Sequence, residues 1–418
     1  MKLNKLTIAL GLSLGLISTT SNAGGYMFSE LGELSTSTAG AGVAAVAEGA
    51  ETAFANPAGM TRLKGKNIAS NIGLLNLDSK YYDIGSHNAG DLNNYSKETS
   101  LTKLLPLASM YFTDAINDKF SVGVAMGGTG GSGFGYSDAF AGSIMAENGL
   151  LLTAQLNPSV AYKLNDQLSI GAGFSIEYAF INQTLGSASF DGGNDYINAE
   201  VTADDVSYGW NVGAMYELND ANRFGFTYRS QIDHELDGDL DANVKSVGGE
   251  TLSSQINITM PAQAKLSGYH EVQDNLALLW TLGWQDLSAV QNTDVIVEGH
   301  NSPLARNWKD TYSVALGGHF RISNALRFEM GYSYETSPQD DPKHIFVDVP
   351  TGPINKYSTG LTWFVNKNTK AQFYYEYLDG GTVRTQANDN LTGGALTQLN
   401  GVYDMNVHFL GATLNYSF

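Results

Sequence analysis

Residues 168 to 180, LSIGAGFSIEYAF, decide the fold class of this chain. Every second position is apolar and these seven residues share one parity, namely Leu168, Ile170, Ala172, Phe174, Ile176, Tyr178 and Phe180. The positions between them are mostly small or polar. A period of two along such a stretch indicates a β-strand with one apolar face. In a membrane barrel that face contacts lipid, whereas the opposite face lines the lumen.

The same alternation recurs along the chain. It is found from Val206 to Leu218, from Phe224 to Tyr228 and from Leu326 to Tyr334. The strands near Lys66 to Tyr82 and near Leu101 to Thr113 alternate less cleanly. A soluble β-sandwich also alternates, so the connections between the strands must decide between the two architectures.

These connections alternate in length. Short turns are predicted at Asn117-Asp118, Asn165-Asp166, Asn219-Asp220, Asp274-Asn275, Ser323-Asn324 and Asn366-Lys367. Between them lie longer polar connections near 84–100, 128–150, 185–200, 238–254, 291–303, 338–350 and 380–400. The pattern predicts an all-β protein, an antiparallel transmembrane barrel of about 14 strands with short periplasmic turns and long external loops.

Composition excludes other classes. The chain has 23 Lys and Arg residues against 42 Asp and Glu residues, a net charge of −19, which argues against nucleic-acid binding. It contains no cysteine, so neither disulfides nor thiolate metal sites are possible. After the N-terminal region, the sequence holds no run of 18 apolar residues that would predict a membrane-spanning helix.

Both termini carry export features. Lys2 and Lys5, the apolar run from Leu6 to Ile17 and a small-residue site at Ala23 predict a signal peptide over residues 1–23. The chain ends in Phe418, as bacterial outer-membrane barrels commonly do, and we expect this residue to be recognised by the barrel-assembly machinery. The apolar parity changes along the last strand, which predicts a bulge or register break near Phe409.

Residues 24–65 precede the predicted barrel, 66–418, and do not alternate. They are rich in Ala and Gly, as in TAGAGVAAVA at 38–47, and predict either a periplasmic leader helix or a plug packed inside the lumen. Within them we expect Asn56 to hydrogen-bond lumenal or plug backbone. Pro57 has a restricted φ and no N–H donor, so it should turn the chain away from the sheet.

The segment Asn56-Pro57-Ala58 resembles the hatch motif of the FadL-type family of outer-membrane transporters for long-chain fatty acids and other hydrophobic compounds. Weaker matches follow in order at Leu156–Leu164, Phe224–Ser230, Met260-Pro261-Ala262 and Trp308-Lys309-Asp310. The resemblance implies a 14-stranded barrel with residues 24–65 as a lumenal hatch and Asn56, Pro57 and Ala58 at the gate. It also implies uptake of hydrophobic small molecules by hatch rearrangement.

A glycine cluster follows the apolar run from Phe120 to Met126. Gly128, Gly130 and Gly133 match G-x-G-x-x-G, but no helix or βαβ unit follows, so a dinucleotide site is rejected. Glycines within a strand mark bulges and bends. The family resemblance implies a kinked third strand with a lateral opening in the wall, at Gly127, Gly128, Gly130, Gly131, Gly133 and Gly135. A flexible loop tip is the alternative.

Two groups are candidates for ligand contact. An outer capture groove is predicted from Phe134, Tyr136, Phe140, Ile144 and Met145, with ordinary loop packing as the alternative. A ligand carboxylate in an apolar lumen requires a cation, and strand parity places Arg229, Lys265, Lys309 and Arg327 inside, of which Arg229 and Lys265 are our candidates. Glu177, Glu217 and Glu329 share that face, so a structural ion-pair network is the alternative.

The sequence predicts no catalytic residues, metal ligands or cofactor, because no zinc-binding histidine pattern and no G-x-S-x-G elbow occurs. We therefore expect a transporter, not an enzyme, located in the outer membrane of a Gram-negative cell as a monomer among lipid and lipopolysaccharide. The sequence leaves open whether the ligand is a fatty acid, an alkane or an aromatic hydrocarbon. A general diffusion porin and a surface adhesin or phage receptor remain alternatives.

Overall fold

The computed structural model describes residues 35–88, 95–143, 145–189, 196–244, 248–388 and 397–418. The predicted signal peptide, residues 24–34 of the predicted hatch, and Ile144 lie outside these ranges. Within them, no helix has the length and apolar character needed to cross a membrane.

The described residues form fourteen antiparallel barrel strands, of which β7 and β8 are each interrupted once. The strands are β1 Lys66–Asp83, β2 Glu98–Ala115, β3 Phe120–Gly135, β4 Asn148–Lys163, β5 Leu168–Ser189, β6 Tyr196–Asn219, β7 Asn222–Arg229 with Ile232–Val244, β8 Gly248–Met260 with Gln263–Gln273, β9 Leu276–Gln285, β10 Thr311–Arg321, β11 Leu326–Glu335, β12 Ile354–Phe364, β13 Thr369–Thr385 and β14 Gly401–Ser417. β1 pairs with β14 from Asn67↔Ser417 to Asp83↔Gly401, which closes the barrel. The predicted fold class is confirmed.

Smaller elements lie before the barrel and in its loops. A hairpin of Asn292–Val297 and His300–Ala305 follows β9, and His87–Asn88 pairs with Thr397–Gln398. Helical elements are 3₁₀ turns at Thr36–Thr38, Pro57–Arg62, Leu287–Ala289 and Pro342–His344, and one α-helical turn at Thr52–Ala55.

The two faces of the strands match the predicted parity. On β5, Ile170, Phe174 and Tyr178 are between 43 and 49% exposed on the outer surface, whereas Ser175 and Glu177 are buried on the lumenal side. Large exposed apolar residues cover the outside of the other strands in the same way. An outer surface of this kind is stable only against lipid, because water would not solvate so large an apolar area.

All six predicted short turns join consecutive strands at one end of the barrel, but two predicted loops were wrong. Residues near 185–200 and 238–254 are mostly strand, because β7 continues to Val244 and β8 begins at Gly248. On the second part of β7, Ile232 and Leu236 are buried while Asp233 and Asp237 are exposed. Acidic residues on the outer face gave these segments the polarity of a loop, although the period of two was maintained.

The predicted break near Phe409 was also wrong. β14 keeps one register with β1 across this position. Tyr403, Met405, Val407 and Phe409 are all buried inside, whereas Leu410 and Leu414 are exposed outside. The apolar residues change faces without a bulge, because the outer part of the lumen is itself apolar.

The outer face yields a stability prediction. Leu316, which is 59% exposed, lies midway along β10, opposite Trp280 and Tyr332. We expect Leu316→Arg to lower the free energy of unfolding in lipid vesicles by about 2–4 kcal/mol, because it places a cation in the hydrocarbon. The matched control is Ile322→Arg at the turn end of the same strand, where the cost should fall to about 0–1 kcal/mol. Equal losses in urea titrations would contradict this orientation.

Candidate functional site

Residues 35–65, here called the lumenal segment, pack against the inner wall of the barrel. Their backbone lies directly on wall glycines: a Cβ atom built on Gly225 would be 1.8 Å from Ala44 O, and one on Gly331 would be 2.1 Å from Thr38 O. Any side chain at these two wall positions would displace the segment. Small residues are buried on the segment's own side as well, among them Ala41, Ala45, Ala50, Ala53 and Ala58.

Asn56 joins the lumenal segment to itself and to the wall. Its side-chain Nδ2 donates to Ala44 O at 2.7 Å and to Ala214 O of β6 at 3.1 Å, and its Oδ1 accepts from Ala58 N at 3.1 Å. Pro57 begins the 3₁₀ turn that follows. The hydrogen bonds predicted for Asn56 are confirmed, and the chain turns at Pro57 as expected.

A buried ion-pair network holds the other side of the segment. Arg327 of β11 donates to Glu48 at 2.7 Å and to Glu329 at 2.8 Å. Ser37 donates to the second oxygen of Glu329 at 2.5 Å. Burial opposes ionisation of Glu48, but the charges of Arg327 and Lys370 outweigh it and hold the pKa of this carboxyl well below its usual range. Both partners therefore remain charged at neutral pH.

The predicted lumenal cations have different surroundings. Arg229 stacks 3.7 Å above the Phe54 ring and donates to Phe54 O at 2.6 Å and to Gln155 Oε1 at 3.0 Å. It therefore contacts the lumenal segment here. Lys265 lies half-buried on β8, paired across the ladder with Thr227. Lys309 is not on the lumenal face as predicted, because it lies in the connection before β10 and pairs with Asp340 at the surface.

A chain of buried polar contacts extends from Arg229 to the third strand. Glu177 accepts from Gln155 Nε2 at 3.0 Å and from Thr129 Oγ1 at 2.6 Å. His234 lies 3.2 Å from Glu177 and 2.9 Å from Asp205. We call these residues the polar relay: Arg229, Gln155, Glu177, Thr129, His234 and Asp205. Sequence analysis missed the relay, and its only signal was the inward parity of a glutamate on an apolar strand.

The predicted glycine cluster lies where the ladder between β2 and β3 is interrupted. These strands pair from Ala115↔Ser121 to Ser109↔Gly127, and the next pair described between them is the bridge Leu101↔Tyr136. β3 stays paired with β4 throughout, with a register shift between Gly128 and Gly130. Gly131 has φ +151°, and a Cβ there would be 2.9 Å from Leu151 O. Gly133 and Gly135 lie in the part of β3 that has separated from β2.

The aromatic residues predicted as a capture groove are buried. Phe134, Tyr136, Phe140 and Met145 are at most 8% exposed. The rings of Tyr136 and Phe140 stack at 4.2 Å, and the Tyr136 hydroxyl donates to Val347 O at 2.6 Å. We call this group the mouth cluster, and it comprises Tyr81, Leu101, Phe134, Tyr136, Phe140, Met145, Phe346, Val347, Tyr403 and Met405. In this structure the apolar surface is therefore closed to the outside.

The connection between β11 and β12 covers the mouth cluster. Residues 345–351 are all buried although they form no regular secondary structure. Asp348 accepts from Arg306 Nη2 at 2.6 Å, with both side chains buried. Burial raises the pKa of Asp348, and the charge of Arg306 compensates only in part. Sequence analysis placed this stretch in a polar loop, although the apolar run IFVDV at 345–349 was a usable signal.

Comparison with known proteins places this architecture in a family. The profile of the family "Outer membrane protein transport protein (OMPP1/FadL/TodX)" matches residues 14–418. The long-chain fatty acid transport protein of Escherichia coli O6:H1 is 26% identical, over 90% of this chain and 91% of that protein. Outer membrane protein P1 of Haemophilus influenzae is 26% identical, over 93% of this chain and 95% of that protein.

Solved structures show the same fold. A Pseudomonas aeruginosa FadL homologue superposes with a TM-score of 0.83 at 19% identity, covering 96% of this chain and 99% of that one. The toluene transporter TodX of P. putida gives 0.68 at 16% identity, covering 88% and 94%. Family members are transport channels of the outer membrane and not enzymes. The chain thus belongs to the OMPP1/FadL/TodX family and is an outer-membrane transport protein of Gram-negative bacteria.

Proposed function

We propose that this protein carries hydrophobic small molecules, either fatty acids or hydrocarbons, across the outer membrane by binding them in a closed barrel. The observation that carries the proposal is the apolar outer lumen above a filled, polar inner lumen. Tyr403, Met405, Val407 and Phe409 line it from β14 alone. The names of the relatives, a fatty acid transport protein and a toluene transporter, support the same ligand class.

An apolar lumen distinguishes this barrel from a diffusion porin, whose lumen is polar and filled with water. Burial of each ligand methylene in such a lumen is worth about 0.8 kcal/mol, so a long acyl chain is held firmly. Binding of this strength needs a change of shape for release. The lumenal segment and the β2–β3 interruption are the two parts of the chain that could supply it.

The lumenal segment acts as the hatch in this proposal, with Asn56, Pro57 and Ala58 at the gate. Asn56 is the hinge point, since its amide group bonds both to the segment and to the wall. The barrel strands pair with one another independently of the segment. Movement of the hatch therefore opens the lumen without unfolding the wall.

Release occurs sideways, through the β2–β3 interruption, and the polar relay couples it to the hatch. Phe54 of the hatch binds Arg229, and Thr129 at the other end of the relay lies between the glycines of the register shift. When the hatch moves, Arg229 loses Phe54 as its partner and Gln155 loses a fixed donor. The contact that holds β3 at Thr129 is then weakened.

The transport proposal is tested in a Gram-negative host that lacks its own fatty-acid transporter. Expression of this chain should restore uptake of labelled oleate or of a labelled neutral hydrocarbon, because the lumen binds apolar groups. The purified protein should show little steady conductance in planar bilayers. Large steady channels would instead identify a diffusion porin. If neither ligand is taken up while cells adhere through the external loops, the adhesin alternative is correct.

Gly225→Ala tests the hatch. The added Cβ would overlap Ala44 O, so we expect the segment to leave its seat, with raised ion conductance and cleavage of residues 35–65 by protease. Heat-modifiable migration should persist because the strand ladder is unchanged. Gly318→Ala in β10 is the matched control, since its Cβ would contact Ala277 O at an ordinary 3.4 Å. A Gly225→Ala protein as closed as the parent would show that the segment is a passive filler.

Gln155→Leu tests the relay. The substitution keeps the side-chain size but removes the link between Arg229 and Glu177, so we expect uptake to slow about threefold or more, for the loss of about 1 kcal/mol of coupling. Hatch protection from protease should stay as in the parent. Asn182→Leu on β5 is the control, because that amide bonds only outside the relay, to Glu200 and Thr202. Parental uptake by Gln155→Leu would refute the coupling.

The expected contacts of Phe418 with the barrel-assembly machinery, the lipopolysaccharide environment and the monomeric state stay predictions. Phe418 is 70% exposed at the end of β14. Its side chain is thus accessible to a partner.

A further inference from the structure

The unpaired part of β2 behaves as a sheet edge inside an otherwise closed barrel. It runs over residues 102–108, between the last ladder pair and the Leu101↔Tyr136 bridge. Pro106 lies in this stretch. Proline has no backbone N–H to donate and is confined to edges of sheets, so its position suits a strand that is not paired on one side. We call this opening in the wall the β2–β3 gap.

Lys103 lies across the gap on the lumenal side. It is paired with Leu77 of β1 on one side and has no ladder partner on the other within the described residues. Its stem passes over β3, because a Cβ built on Gly133 would be 3.0 Å from Lys103 Cγ. Its Nζ reaches β4 and donates to Asn148 Oδ1 at 3.1 Å. The side chain thus bridges the gap like a bar.

The partner of Lys103 is unusual for a lumenal cation of this protein. Arg327, Arg306 and Arg62 each contact a carboxylate. In the part of the chain that the structure describes, no carboxylate oxygen lies within 4.0 Å of Lys103 Nζ, whose acceptor is a neutral amide. Leu101 and Leu105 beside it are buried. An ammonium group in such surroundings gains more from an ionised acceptor than from an amide.

We propose that Lys103 binds the carboxylate of a fatty-acid ligand at the β2–β3 gap, in exchange for Asn148. The acyl chain lies against the apolar lining formed by Leu105, Val407 and Phe409. When Lys103 turns to the carboxylate, its stem leaves Gly133 and the gap widens. Lys103 therefore selects amphipathic acids over neutral hydrocarbons at the point of release. The inference rests on the proposed function and specifies its substrate class.

The test compares binding of radiolabelled oleate and methyl oleate to the purified full-length protein, and uptake of both by cells. We expect Lys103→Met to weaken oleate binding about tenfold, the equivalent of one lost charge-assisted hydrogen bond, and to leave methyl oleate within about twofold. Lys103→Arg should retain oleate binding because the charge is kept. Lys80→Met is the control, since Lys80 is an exposed lysine of the adjacent strand, paired with Glu98.

A second variant tests the exchange without truncating the lysine. Asn148→Asp supplies Lys103 with a carboxylate of its own, so oleate binding should fall while methyl oleate binding persists. Heat-modifiable migration verifies that each variant is folded. Parental oleate affinity in both Lys103→Met and Asn148→Asp would overturn the inference, as would equal losses for acid and ester. If the parent binds neither ligand, the proposed function itself fails.

Discussion

The structure depends on backbone hydrogen bonding in a medium that offers no alternative partner. In lipid each unpaired N–H or C=O group costs several kcal/mol, so a spanning sheet must close on itself. The pairing of β1 with β14 provides that closure. The β2–β3 gap is the point where pairing is relaxed, and there residues 129–134 of β3 are buried by protein on both faces. Irregular backbone is tolerated at membrane depth only when it is enclosed in this way.

Closure creates a lumen that the chain then has to fill. At the inner end this is done with small residues: the backbone of the lumenal segment lies on Gly225 and Gly331, and buried ion pairs complete the contact. Breaking such a pair by removing one partner costs about 3–5 kcal/mol, so the network around Arg327 holds the segment in one position. At the outer end the lumen is filled by aromatic side chains and by residues 345–351. The two fillings differ in polarity, and this difference supports a hydrophobic ligand above a polar plug.

Much of the architecture was predictable because it depends on local patterns. The alternation at 168–180 identified the outer face of β5, the Asn and Asp turns identified one end of the barrel, and the Asn56-Pro57-Ala58 segment led to the family. The errors arose where a pattern had two causes. Acidic residues on the second part of β7 concealed a strand as a loop, and apolar residues at 403–409 suggested a bulge although they face an apolar lumen.

The sequence by itself determined the strands, their faces and the membrane as solvent, because each follows from a period of two and from turn residues close together in the chain. Only the tertiary structure decided which residues meet inside. Arg229 and Phe54 are 175 residues apart, as are partners of similar separation throughout the lumen. Their contacts depend on strand register and on where the lumenal segment lies, neither of which has a local signature. The same holds for Lys103 and Asn148, which meet only because β3 separates from β2 between them.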